Sequence, residues 1–160
     1  MSVIIIEKAR EEDKPRIFEL LKQANMHHIP SKEMPGLTFE NYFVAKVNGK
    51  IAGFSGYKIL SSTEAKTELM VVDSRFRGYG LGLKLQKKRM EDMLTKGIKT
   101  LTTNTDLPPT IKWYKKHFGY KEVGTLKKFH EFSDPNIDQW TTLQVDLEEW
   151  VAHQNKGGHT

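Results

Sequence analysis

Between a β-forming run at 67–72 and a helical pattern that runs to about residue 96, the chain places glycines at three alternate positions, Arg75-Phe76-Arg77-Gly78-Tyr79-Gly80-Leu81-Gly82. No other segment limits so tightly what the chain can become. Glycines at a strand-to-helix junction let successive backbone N–H groups turn toward one point. Joined to the positive end of the following helix, such a nest binds phosphate oxygens. A dinucleotide fingerprint needs Gly-x-Gly-x-x-Gly, but Gly78-x-Gly80 reaches Leu83 and Gly80-x-Gly82 reaches Leu85. A Walker loop must end in Gly-Lys-Ser/Thr, and this one does not. The residues alone therefore leave a different phosphate ligand, or a tight turn with no ligand.

The rest of the chain gives the frame. Ile17, Leu20, Leu21 and Ala24 follow at i, i+3, i+4 and i+7 after Asp13 and Pro15, which predicts a helix with one buried stripe. Asn48-Gly49 between Tyr42-Phe43-Val44-Ala45-Lys46-Val47 and Ile51-Ala52-Gly53-Phe54-Ser55-Gly56-Tyr57 predicts a hairpin with a type I′ turn. Strands are expected at 3–8, 67–72 and 99–104, helices after Gly82 to about 96, ended by Gly97, and at 109–117, and a last hairpin over 120–132 and 140–147. Residues 26–36, with two prolines, read as loop with a short helix. The order β-α-βββ-α-β-α-ββ predicts an α/β (α+β) sandwich: a mixed, mostly antiparallel central sheet with helices on both faces, and no doubly wound parallel sheet. One domain over 1–150 and a polar, disordered tail over 151–160 are expected.

Composition narrows the function. The 160 residues hold no cysteine, which excludes disulfides, thiolate zinc sites and a cysteine nucleophile. Val3-Ile4-Ile5-Ile6 is too short for a signal-peptide core, and no apolar run suits a bilayer, so a cytoplasmic chain without a membrane partner is expected. A net charge of +5 favours an anionic partner, but the basic residues are scattered, with no block longer than Lys87-Lys88-Arg89, so no nucleic acid is expected. His27 and His28 are adjacent, a poor metal spacing, and no metal site is expected. They and His130 and Glu131 are candidates to line an acceptor pocket, with loop packing the simpler reading.

Four segments in order resemble the GCN5-related N-acetyltransferase (GNAT) superfamily. Arg77-Gly78-Tyr79-Gly80-Leu81-Gly82 resembles the family's pyrophosphate motif Arg/Gln-x-x-Gly-x-Gly/Ala. Arg75-Phe76-Arg77-Gly78-Tyr79-Gly80 fits it too, and Val72-Asp73-Ser74-Arg75-Phe76-Arg77-Gly78, similar to Val-x-Pro-x-x-Arg-Gly, favours the later register. Phe43-Val44-Ala45 through Gly53-Phe54 resembles its second and third strands. Trp113-Tyr114 to Phe118-Gly119-Tyr120 resembles the segment ending in Tyr-x-x-x-Gly-Phe, with one residue more before the glycine.

The resemblance implies an acetyl-CoA-dependent N-acetyltransferase acting by direct transfer on a primary amine, the acceptor a small molecule; a protein N-terminus or lysine, or a non-catalytic acyl-CoA-binding role, is the alternative. It implies that Met70, Val71 and Val72 offer backbone groups to the pantetheine arm, and that Arg77, Gly78, Tyr79, Gly80, Leu81, Gly82 and Leu83 hold the pyrophosphate. Lys84, Lys87, Lys88 and Arg89 either reach the remaining phosphate or form a solvated helix face. Glu68 is the implied base, sharing a face with Met70 and Val72 by strand alternation. Tyr114 is the implied acid, its hydroxyl expected exposed or half-exposed, against a packing role beside Trp113. Asn104 binds cofactor or acceptor, or caps the turn Asn104-Thr105-Asp106. Homodimerisation is left open.

Overall fold

The computed structural model describes residues 2–24, 40–128 and 136–157, with side chains to 154. The expected loop at 26–36, His27, His28, His130 and Glu131 lie outside the described residues. Seven strands form one sheet in the order β1-β2-β3-β4-β5-β7-β6, antiparallel except for β4 beside β5. Contacts divide the chain into two compact units, Met1–Lys58 with Glu68–Asp92, and Ile59–Thr67 with Met93–Thr160. Strand β4 (Glu64–Val72) belongs to the second by its start and to the first by its end.

In the first unit, β1 (Ile4–Lys8) pairs with β2 (Tyr42–Val47), from Ile4 opposite Val47 to Lys8 opposite Phe43. Strand β2 turns into β3 (Lys50–Ile59) through Asn48 at φ 51° and Gly49 at φ 83°. Two consecutive left-handed residues are what a type I′ turn demands, as expected from Asn-Gly. Helix α1 (Lys14–Gln23) starts where the Asp13 carboxylate accepts the Arg10 N–H at 2.8 Å, and Pro15 sits in its first turn. It buries Ile17, Leu20 and Leu21, whereas Ala24, read as the stripe's fourth member, is the exposed C-cap. Two glycines of β3 are needed for close packing. A Cβ at Gly53 would meet the Val71 carbonyl oxygen at 2.8 Å, and one at Gly56 would fall inside the Tyr42 ring. Helix α2 (Leu81–Thr95) puts Leu81, Leu85 and Met90 into the core.

In the second unit, the end of α2 stops at Gly97 (φ 80°), with the Gly97 N–H bonded to Leu94 O and the Ile98 N–H to Met93 O. Strand β5 (Thr100–Thr105) runs parallel to the start of β4 over Glu64 to Lys66 and antiparallel to β7 (Gln139–Asp146). Helix α3 (Pro108–Phe118) begins at two prolines and ends on Gly119 at φ 71°. Strand β6 (Lys121–Lys127) pairs with β7 and is exposed along its whole length. Residues 151–157, read from sequence as tail, instead continue α4 (Leu147–Gly157), whose Leu147 and Trp150 are buried and whose first turn is capped by Asp146 accepting the Glu149 N–H at 2.9 Å. Among the described residues no helix is long and apolar enough to cross a membrane.

Candidate active site

The end of β4 alternates as its sequence requires: Leu69 and Val71 are buried, and Glu68, Met70 and Val72 share the half-exposed face. The chain then bends at Asp73. The Asp73 N–H bonds to Ala52 O at 2.8 Å, while its carboxylate, 3 % exposed, gathers four donors. These are the Arg75 N–H at 2.9 Å, Arg75 Nε at 3.2 Å, Arg75 Nη2 at 2.8 Å and Arg16 Nη2 at 2.9 Å. Hydrogen bonds from Arg75, and after them from Arg16, hold the Asp73 carboxyl well below the usual carboxylate range. The turn that launches the glycine segment is thus pinned from both sides.

That anchor separates the two motif registers. The Arg75 guanidinium is committed to Asp73, whereas Arg77 is exposed and makes no ion pair among the described residues. Gly78 follows at φ 92° and Gly80 at φ 70°, conformations that suit glycine. A Cβ at either would meet no atom within 4 Å, so the concave backbone opens outward. Lys84 is the first residue to close a helical bond, to Gly80 O at 3.1 Å, so the N–H groups of Leu81, Gly82 and Leu83 sit at the unbonded start of α2. Leu81 is buried and roots the helix, while Tyr79 and Leu83 are exposed. Two positive-φ glycines with open space where a Cβ would stand, and a fifteen-residue helix starting beside them, fit a pyrophosphate group.

Beyond the nest, Lys84, Lys87 and Lys88 are exposed, with Lys88 Nζ 6.0 Å from the Phe43 ring centroid. Arg89 differs from the sequence reading: it is 0 % exposed and cannot serve a solvated face. Its Nε bonds to Gln86 Oε1 at 2.5 Å, and its Nη1 donates to Gly56 O at 2.9 Å and to Leu69 O at 3.4 Å. Beside it lies Tyr42, 1 % exposed. Burial pushes the Tyr42 phenol far up, the charge of Glu68 adds to this, and the Arg89 charge opposes it. Sequence reasoning singled out neither Tyr42 nor this role for Arg89. One signal was present: Leu81, Leu85, Arg89 and Met93 recur every four residues, which puts Arg89 on the buried stripe.

The remaining candidates belong to the second unit. Tyr114 of α3 is 5 % exposed, so the half-exposed hydroxyl expected from sequence is corrected. Its ring lies 5.0 Å from that of Trp113, edge-on, and 5.0 Å from that of Tyr120. Tyr120 is held by Thr103 Oγ1 at 3.2 Å, and Thr103 by Thr67 Oγ1 at 2.9 Å. The residue in excess before Gly119 is absorbed within α3, which runs on to Phe118 before the left-handed cap. Asn104 does not cap a turn; it lies in β5, where its Oδ1 accepts from Thr142 Oγ1 at 2.7 Å, and this orients its amide nitrogen. Two residues on, Asp106 forms a buried pair with Lys128 at 2.8 Å, and Lys128 Nζ lies 4.7 Å from the Trp140 ring centroid. Among the described residues no group of three or more His, Cys, Asp or Glu side chains could hold a metal.

Comparison with known proteins adds to this geometry. Residues 5–120 match the model of the acetyltransferase (GNAT) family. No curated protein sequence matches the chain. Among solved structures it is similar to Ard1 from Thermoplasma volcanium (TM-score 0.73, 19 % identity, 89 % of this chain and 97 % of that one). It is similar also to the ribosomal-protein-S18-alanine N-acetyltransferase of Escherichia coli (0.72, 21 %, 91 % and 94 %). A third is yncA from Salmonella typhimurium with its cofactor acetyl-CoA (0.68, 16 %, 91 % and 94 %). At such identities the likeness is one of fold.

Proposed function

The chain belongs to the acetyltransferase (GNAT) family, and on that premise we propose that it transfers an acetyl group from acetyl-CoA directly to a primary amine of a small molecule, in the cytoplasm. The observation that carries the reading is the open glycine nest at 78–83, anchored by Asp73 and running into the first turn of α2. Backbone N–H groups of Gly78, Tyr79, Gly80, Leu81, Gly82 and Leu83 hold the pyrophosphate, Arg77 adds charge, and Met70, Val71 and Val72 offer strand-like bonds to the pantetheine arm.

An alkyl ammonium near pKa ~10.4 is mostly protonated at neutral pH, so the attacking nitrogen must first lose a proton. Glu68 takes it, directly or through water. The nitrogen lone pair forms the C–N bond, the C–S bond breaks, and its electrons leave on sulfur. Tyr114 donates the proton that makes the product a thiol, and Asn104 orients a polar group of cofactor or acceptor. Each role comes from the family resemblance, on residues this chain supplies.

A thiol-release assay with acetyl-CoA against small amines, amino sugars, amino acids and short peptides tests the proposal. Turnover with small amines is expected. Turnover with peptides alone would replace the acceptor class by a protein terminus or lysine. Tight coenzyme A binding without turnover on any amine would leave only an acyl-CoA-binding module.

A further inference from the structure

Beside the Tyr114 ring, the second unit holds a line of hydroxyls that no step of the transfer uses. The paired register of β4 and β5 ends with Lys66 opposite Thr102. One residue further on, side chains make the link. Thr67 Oγ1 donates to Thr103 Oγ1 at 2.9 Å, and Thr103 Oγ1 donates to the Tyr120 hydroxyl at 3.2 Å. All three residues are buried. The Tyr120 ring then lies 5.0 Å from the Tyr114 ring, tilted by 59°. Tyr114 meets Trp113 as well, but Trp113 precedes it on the same helix and moves with it. Tyr120 stands beyond the Gly119 cap, outside α3, and its hydroxyl is tied to β5.

Stability alone does not account for these hydroxyls. Valine at 67 and 103 and phenylalanine at 120 would fill nearly the same space. Replacing both partners of a buried hydrogen bond by apolar groups of like shape is close to neutral. What the hydroxyls add is direction, because a phenol bonded at its oxygen is held along its own axis as well as across its faces. We propose that Tyr120 is a positioning residue for Tyr114, with Thr103 and Thr67 as its anchor in the sheet. The fixed Tyr120 ring sets the place of the Tyr114 ring, and so the line along which the Tyr114 hydroxyl meets the departing thiolate. The inference rests on the assignment of Tyr114 as acid. An acid held in one orientation removes a search from the proton-transfer step, and a small displacement is enough to lose that gain.

The test uses the full chain with Thr103→Val, which keeps the branched shape and removes the hydroxyl between Thr67 and Tyr120. Two readouts are needed. One is the NMR resonance of Tyr114 Cζ, assigned with Tyr114→Phe, which requires no acceptor. The other is kinetics with acetyl-CoA and the amine of highest turnover in the thiol-release panel. The resonance should shift or broaden, and kcat should fall about tenfold with the KM for acetyl-CoA unchanged. The loss should shrink with a more acidic thiol leaving group, and Thr103→Ser, which keeps the hydroxyl, should restore both readouts. Added to Tyr114→Phe, Thr103→Val should lower kcat no further, because the two act through one hydroxyl. An unmoved resonance, or losses that multiply in the double variant, overturn the proposal. A resonance that moves while kcat stays at the wild-type value upholds the anchoring and overturns Tyr114 as acid. If Thr103→Val does not fold, Tyr120→Phe removes the same bond from its other end with the ring in place, and the same outcomes decide.

Discussion

Gly80→Ala separates backbone strain from ligand exclusion at the nest. Gly80 has φ 70°, and a methyl placed on it would meet no atom within 4 Å. The only intramolecular cost is the left-handed conformation, about 1 kcal/mol for a residue bearing a Cβ. In a domain of this size that lowers Tm by about 2–4 °C. The outward space that makes the methyl harmless to the protein is the space the pyrophosphate must enter. Losing even one well-directed N–H contact to a charged group is worth about 1.5–3 kcal/mol, so coenzyme A affinity should fall at least about tenfold. Gly49→Ala supplies the control: φ is 83°, its Cβ also meets nothing within 4 Å, and it lies in the β2–β3 turn. Titration calorimetry with coenzyme A and thermal melts on both variants decide the matter. Equal melting losses with affinity lost only in Gly80→Ala are expected; equal affinities in the two variants would refute the nest as the pyrophosphate site.

Three further outcomes follow from the same geometry. Asp73→Asn should cost about 2 kcal/mol at neutral pH, because a buried acceptor loses charge-assisted bonds from Arg75 and Arg16. Since the folded carboxyl lies below its unfolded value of about 3.9, its contribution is complete above that pH and lost as pH falls below it, so melts of wild type and variant should converge only under strong acid. Glu68→Gln should leave coenzyme A affinity intact and lower turnover most at the low end of pH 6–9, with the deficit shrinking as the amine approaches its own pKa of about 10.4; an equal loss at every pH would point to acceptor positioning instead. Tyr114→Phe should cut turnover by about 10²–10⁴-fold, less with a more acidic thiol leaving group, while its buried hydroxyl contributes about 1 kcal/mol to stability; full activity would remove it as acid.

What could be read from sequence was what depends on near neighbours. Asn48-Gly49 specifies its turn through two adjacent φ angles, and Gly97 and Gly119 end helices through a single left-handed residue each. The glycine nest is legible for the same reason, since its chemistry belongs to consecutive backbone groups. Helix α4 was missed because Glu148 and Glu149 hide a short apolar pattern, Leu147, Trp150 and Val151, whose value comes only from burial. The register of the motif arginine was favoured by the preceding Val72-Asp73-Ser74-Arg75-Phe76-Arg77-Gly78, which did not show why Arg75 turns away. It is Arg16, 57 residues before Asp73 in sequence, that helps complete the carboxylate's shell and leaves Arg77 facing outward.

The surroundings of Glu68 carry that logic furthest. A tyrosine in a β-rich run and an arginine after two lysines each have an ordinary local explanation, and each was given it, while Glu68 was read as a base from resemblance alone. Tyr42 and Arg89 reach the backbone beside Gly56 only because that glycine leaves room for the Tyr42 ring and the period of α2 turns Arg89 inward. An arginine at 0 % exposure is costly to bury unless its donors are satisfied, and three acceptors from β3, β4 and α2 answer that cost. Two of the three are backbone carbonyls, which carry no side-chain signature at all. A pattern of residue types therefore cannot disclose such a site; only the course of β3 and β4 past α2 does.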